Sequence, residues 1–429
     1  MRGIHTGFEP HHLRVSEYLH SMSYHATTMK STSLMLVRAA LETPPPEEHL
    51  RIGVQPEPTM VPTADARAAG ETALSEGRVG VIMLAGGLAT RMGGTHRLEL
   101  HIGPVTERTL LEFQLHKIAA VTASYGTTIP VVVVSSEVSI AYTKGLLRRY
   151  RFGGLPPDHF RIAVQPCLPV VDAEGAPASD ETGAPMTAPA GHGSTLSALK
   201  DSGAVAWLKA AGVEHAFCFQ YPNVMEVICD PYLIGTHEVA RLDATLKAIP
   251  APEARGRMGR LGMAASGGLR IVEYHRIEAD PSLVWIRENP ASLGTYVWRL
   301  SFLERCIADA ITLPRRTVRH CLAHDDRELW KIEQFIFDLL EHSDRVGFVL
   351  VGSDDHYAII KHQNGSDSLE SARKALCHAY RRWLTEAGAV TDAADPTVEI
   401  DPRFALGPED LAAKIKPGFH YSDGLVLRP

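Results

Sequence analysis

No apolar run in this 429-residue sequence approaches the roughly 20 residues that a membrane helix needs. The longest, Val79 to Ala85 and Ile129 to Val134, stop far short, so no transmembrane span is expected. Cysteine pairs are missing too. Cys167, Cys218, Cys229, Cys306, Cys321 and Cys377 stand far apart with no CxxC, which argues against a zinc site and for buried thiols in a reducing cytoplasm. Arg2 is followed by no apolar stretch before His11, so no secretory leader is read, and Asn364-Gly365-Ser366 is a turn and not a glycan acceptor. Positive charge is in deficit. Lys and Arg number 43 against 50 Asp and Glu, a net charge of −7, which speaks against a nucleic-acid partner while leaving room for a local phosphate pocket.

What the sequence has is material for a large core, with 45% hydrophobic residues and 22% charged ones, the balance of a globular chain. Residues 1–60 read as an extension and linker, with an amphipathic stretch from Ser31 to Leu41 before Pro44-Pro45-Pro46. His5, His11, His12, His20 and His25 in it follow no metal-ligand spacing.

Residues 61–392 alternate short apolar runs with amphipathic segments, the pattern of a layered α/β domain. The pattern predicts strands at Val79–Leu84, Ile129–Ser135, Arg161–Gln165, His215–Gln220, Ala244–Ile249, Leu269–Tyr274 and Thr295–Leu300. It predicts helices at Thr109–Ala120, Val138–Tyr150, Arg327–Glu341 and Ser368–Ala387, and a surface loop from Asp172 to Ala188. Residues 393–429 read as a small C-terminal unit with short strands at Val398–Ile400 and Leu425–Leu427.

The segment richest in chemical meaning runs from Leu84 and Ala85 through Gly86, Gly87, Thr90, Arg91, Gly93 and Gly94, directly after a buried strand. Glycines let backbone N–H groups approach an anion, and Arg91 adds a rigid fork of donors, so the segment reads as a phosphate cradle. It is neither GxGxxG nor GxxxxGK[ST], which removes the main support for a dehydrogenase or a P-loop enzyme.

This frame resembles the LAGGxGTRxG of nucleotide-sugar pyrophosphorylases of the UDPGP type, closest to their UDP-N-acetylhexosamine branch, with Ala89 in place of the third glycine. Arg108-Thr109-Leu110-Leu111-Glu112-Phe113-Gln114, Val272-Glu273-Tyr274, Lys247-Ala248-Ile249-Pro250, Lys331 to Asp338 and Gln363-Asn364-Gly365 are similar to further motifs of that family. The resemblance implies a Rossmann-like, GT-A-like nucleotidyltransferase fold with a layered mixed sheet. It also implies transfer of a nucleotidyl group, from UTP in the first instance, to a sugar 1-phosphate or cyclitol phosphate with release of pyrophosphate. On it, Arg91 and Lys361 are expected at the reacting phosphates. Leu84, Ala85, Gly86, Gly87, Thr90, Arg97, Gln165, Gly191 and His192 are expected around the nucleotide, and Asn223, Lys247 and Glu273 around the acceptor.

Departures from the family are equally specific. Where it carries Asp-Asn, with the aspartate on the catalytic magnesium, this chain has Pro222-Asn223. Mg²⁺ is expected on the resemblance, but its ligands would have to be phosphate oxygens, water, or a carboxylate such as Glu226 or Asp230. Arg97 stands where bacterial relatives have lysine, and Ser292 to Tyr296 replaces an asparagine-bearing strand, which points away from ordinary N-acetylglucosamine 1-phosphate as acceptor. Loss of the aspartate also leaves open a protein that binds a nucleotide sugar without turning it over.

Overall fold

The computed structural model describes residues 54–87, 96–254, 257–265, 267–322 and 325–429, the side chains at 321, 322, 325 and 326 excepted. The amphipathic stretch Ser31–Leu41 lies outside the described residues, as do Thr90 and Arg91.

Buried strands build the centre. β1 (Val79–Leu84) and β2 (Val131–Ser136) are buried at every position, as strands covered on both faces must be. They run parallel to each other and to β3 (Phe160–Gln165) and β6 (His215–Gln220). Beyond β6 lie β10 (Ala291–Arg299), antiparallel to its neighbours, then β7 (Ala244–Ile249) and β13 (Val346–Leu350). The sheet order is β13-β7-β10-β6-β1-β2-β3, with β8 (Arg260–Met263) and β9 (Leu269–Val272) attached beside β10. Short antiparallel pairs are made by β4 (Cys167–Pro169) with β5 (Thr187–Pro189), and by β11 (Arg316–Leu322) with β12 (Asp325–Glu333). The expected layered mixed α/β fold is therefore the observed one.

The helices include α1 (Thr63–Ser75), α2 (Leu110–Tyr125), α3 (Ile140–Arg149), α4 (Pro231–Val239) and α5 (Leu369–Glu386). α2 begins where the Thr109 hydroxyl accepts from Glu112 N and ends at Gly126, whose φ of 64° suits a residue without Cβ. α5 opens on a capping box of Ser368 and Ser371. No helix among the described residues is long and apolar enough to cross a membrane.

The C-terminal segment shares the main core. Val398, Ile400, Ala405 and Leu411 pack in one cluster with residues of α2 and α5, and β14 (Val398–Ile400) pairs in parallel with β15 (Leu425–Leu427). Glu399 accepts from Val105 N, Thr106 N and the Thr106 hydroxyl, while Asp401 binds Arg108 at 2.6 Å. Arg108 is thereby committed to structure.

Three sequence expectations are corrected. Arg327–Glu341 is not a helix but the strand β12 followed by 3-10 turns at Ile336–His342. Both faces of β12 are covered, Trp330 and Ile332 by Leu168, Val171 and Ala190, and Leu329 by Val170, Ala178 and Ala188. Leu329 followed directly by Trp330 interrupts the alternation, while Leu329, Ile332 and Ile336 fall at the spacing of a helix face. The strand expected to reach Tyr274 ends at Val272, and Tyr274 opens a short helix to Ala279. The loop from Asp172 contains turns closed by Asp172 and Asp180 carboxylates over following N–H groups, and its end forms β5.

Candidate active site

In an open sheet, ligands sit outside the carboxyl ends of parallel strands where the strand order reverses. Here that place is between β1 and β6, since β2 and β3 lie to one side and β10 and β7 to the other. A cavity of about 320 Å³ opens there. Leu84, Gly86 and Gly87 line it from the end of β1, and Gln220, Tyr221 and Pro222 from the end of β6. Gln165 enters from β3, Gly191 and His192 from the turn after β5, and Arg97 and Lys361 complete that part of the wall.

Close approach explains two of these glycines. A Cβ on Gly86 would stand 2.3 Å from the Gln165 amide nitrogen, so the side chain lies directly against the bare backbone of the turn. Gly191, with φ at 80°, would meet Gln334 O at 2.6 Å if it carried a Cβ. That contact brings the end of β12 against the turn and puts Glu333 beside it. His192 Nδ1 accepts from Ile336 N at 3.0 Å, which leaves the proton on Nε2. Burial pushes the imidazole down to about 4, so it is neutral near pH 7 and can donate from Nε2.

Lys361 follows a short pairing of 222–224 with 358–360: Val224 N donates to Ala358 O and Ile360 N to Pro222 O. Its ammonium lies 3.6 Å from Asp367 and 3.4 Å from the Tyr357 hydroxyl. Burial pulls it below the ordinary lysine range, with Asp367 opposing.

Sequence reasoning did not anticipate Arg319, His320, Lys331 and Glu333 as cavity residues, and all four come from the β11–β12 hairpin. The KxE spacing of Lys331 and Glu333 was the available signal: two apart on a strand, they share a face, and they pair at 2.5 Å. Glu273 is not in the wall, yet it feels the charges of Glu333 and Lys361. Burial, with Glu333 adding to it, pushes its carboxyl up to about 7.

Asn223 and Lys247, expected at the acceptor, do not reach the cavity. Asn223 is 2% exposed and Lys247 fully buried. The Lys247 ammonium contacts Glu226 at 2.9 Å and Asp230 at 3.0 Å, and Glu226 also accepts from the Thr295 hydroxyl. Glu226 and Asp230, suggested as substitute metal ligands, are thus spent on Lys247. Among the described residues, Glu333 is the only carboxylate of the cavity wall, and it is already paired with Lys331, while the Pro222 side chain contributes no oxygen. A hard dication needs about six oxygens at fixed distances. This donor set does not fit a resident magnesium ion.

Comparison with known proteins agrees with the architecture. The family model for UTP–glucose-1-phosphate uridylyltransferase matches residues 24–282, more than half of the chain. The chain belongs to this family. UDP-N-acetylglucosamine diphosphorylase 2 of Arabidopsis thaliana is 25% identical over 374 residues, covering 80% of this chain and 74% of that protein. The human UDP-N-acetylhexosamine pyrophosphorylase-like protein 1 is 25% identical over 344 residues, 74% of this chain and 67% of that one. Among solved structures, the uridine diphosphate N-acetylglucosamine pyrophosphorylase of Trypanosoma brucei, determined with an inhibitor, superposes with a TM-score of 0.69 at 20% identity, covering 86% of this chain and 82% of that one. This family membership agrees with the glycine frame and the motifs read from the sequence.

Proposed function

We propose that the chain is a uridylyltransferase: an acceptor phosphate oxygen attacks the α-phosphorus of UTP, the bond to the bridging oxygen of the β-phosphate breaks, and pyrophosphate leaves. The observation that carries this is the convergence of the glycine turn, Gln165, His192, Arg97 and Lys361 on one cavity at the β1/β6 edge. Phosphoryl-type transfer asks for positioning and neutralisation of charge more than for a side-chain nucleophile. Backbone N–H groups at Gly86 and Gly87 meet phosphate oxygens, Arg97 and Lys361 offset their charge, and Nε2–H of His192 donates to the nucleoside. The acceptor is a sugar 1-phosphate or a cyclitol phosphate, and the setting is cytoplasmic, in keeping with five described cysteines that are free. Exchange of labelled pyrophosphate into UTP, run with a panel of phosphorylated sugars and cyclitols, tests the reading. Pro222 favours a second one, a silent binder of nucleotide sugars, and UTP affinity without exchange would decide for it.

Gln165 is proposed to read the base, since an amide offers a donor and an acceptor to its edge. Gln165→Ala is then expected to narrow the preference for UTP over CTP about tenfold or more in kcat/KM. Gly86→Ala should act in the same direction by displacing that amide. An unchanged ratio in both variants would move base recognition elsewhere.

Because Pro222 faces the cavity without a donor, the magnesium requirement of the wild type should follow the nucleotide's own complex. Pro222→Asp keeps the carbonyl that accepts from Ile360 N at 3.1 Å and adds a carboxylate. It should lower the magnesium concentration at half-maximal rate about tenfold. A folded, active variant with wild-type magnesium dependence would show that position 222 does not meet the metal.

A further inference from the structure

The turn that ends β6 is held from two sides. On one side α2 presents Gln114 and Lys117, three residues apart and so on one face. The Gln114 amide donates to Tyr221 O at 2.7 Å and Asn223 O at 3.0 Å, and the Lys117 amine to Val224 O at 2.7 Å and Glu226 O at 2.9 Å. Four carbonyls of a six-residue stretch are fixed to one helix.

On the other side stands the Asn223 carboxamide. Its Oδ1 accepts from Ala358 N at 2.9 Å and Met225 N at 3.3 Å, and its Nδ2 donates to His356 O at 2.8 Å and Glu226 at 3.3 Å. Both donors and both lone pairs are used, so nothing is left for a sugar hydroxyl. Turning the amide over would set its NH₂ against two N–H groups. Its orientation is further fixed by Glu226, which Lys247 holds in place. The segment that Asn223 grips, His356 to Ala358, leads within three residues to Lys361.

We propose that Asn223 is a positioning residue for Lys361 and not an acceptor ligand. Its amide locks the segment bearing Lys361 to the turn bearing Pro222, so that the ammonium and the end of β6 keep one spacing across the cavity. An aspartate at 223 would keep the two contacts to N–H groups but turn an oxygen toward the Glu226 carboxylate and His356 O. It should loosen the clamp as alanine does. The kinetic part of this inference rests on the uridylyl-transfer reading; the placement of Lys361 does not.

The test uses the full chain with Asn223→Ala and Asn223→Asp, and Glu226→Gln should neither of these fold. Limited acetylation with acetic anhydride, read at the Lys361 peptide by mass spectrometry with and without magnesium-UTP, reports the placement of that amine. Acetylation of Lys361 is expected to rise several-fold in the variants and to lose its protection by UTP. With N-acetylglucosamine 1-phosphate and a panel of other sugar 1-phosphates as probe acceptors, kcat should fall roughly 10- to 100-fold while the acceptor KM stays within about threefold. A folded variant whose Lys361 labels as in the wild type overturns the proposal. So does a tenfold rise in acceptor KM with kcat retained, which would mean that Asn223 meets the acceptor. If the wild type turns over no probe, the uridylyl-transfer reading suffers alone, and the labelling still decides the clamp.

Discussion

Lys361→Ala is expected to lower uridylyl transfer about 10²- to 10³-fold, the usual cost of removing one preorganised charge from developing phosphate charge. The ammonium lines the cavity, and its nearest acidic neighbour, Asp367, stands at 3.6 Å, too far for a tight pair. Its charge therefore remains available to a ligand. Little of the fold depends on it: the side chain is 30% exposed, and its backbone N–H, bonded to Asp367 O at 2.7 Å, survives the substitution. The melting temperature should change little while kcat collapses. Since burial lowers the ammonium below the usual lysine range, wild-type activity should fade on the alkaline side earlier than an ordinary lysine would dictate, as the charge is lost with rising pH. Lys361→Arg keeps a charge through that range and should flatten this limb at a reduced rate, because a planar fork is not a point charge. Full turnover by Lys361→Ala would remove Lys361 from the reaction.

How much of this was legible in the sequence depends on whether a signal was local. β1, β6 and β7 are six-residue, mostly apolar strands, each bounded where expected, and the glycine turn follows closely on β1. Gln165 and Gly191 were legible only through the family resemblance, and the structure supplies the physical reason for Gly86 and Gly191, a backbone approach too close for a Cβ. The hairpin was missed because Leu329, Ile332 and Ile336 are spaced as on a helix, and with it went Arg319, His320, Lys331 and Glu333. Lys247 was misjudged for a different reason. A lysine in an apolar strand looks like a group reaching for a ligand, and only tertiary structure shows that Glu226, 21 residues earlier, and Asp230 claim it first. The same partners, remote from position 222 in function though near in sequence, could not be excluded as metal ligands until their cation was seen.

That cluster yields the largest expected effect on stability. Lys247→Met should destabilise the chain by about 3–5 kcal/mol, the cost of breaking a buried ion pair by deleting one partner. The methionine fills most of the volume, so the loss comes from Glu226 and Asp230, left buried without their cation. In the wild type, burial works against the Lys247 charge, but Asp230 and Glu226 more than offset it and hold it above the ordinary lysine range. Burial likewise works against the Asp230 charge, and Lys247 brings that carboxyl below its ordinary range. The sign follows from both directions. Asp230's contribution is present above the usual carboxyl pKa and lost in acid, while that of Lys247 is present below the usual lysine pKa and lost in strong alkali. Between about pH 5 and 9 Lys247 and Asp230 both stay charged, and their pairing contributes throughout. In Lys247→Met the Asp230 carboxylate, deprived of its cation, binds a proton more readily, so the variant should recover part of its deficit as pH falls toward 5, and Glu226→Gln added to it should recover part at neutral pH by removing the other carboxyl group. Urea unfolding of the three proteins at pH 5 and pH 8 measures this. A Lys247→Met protein as stable as the wild type at pH 8, or with a deficit that grows on acidification, would show that the ammonium is not what keeps Asp230 ionised.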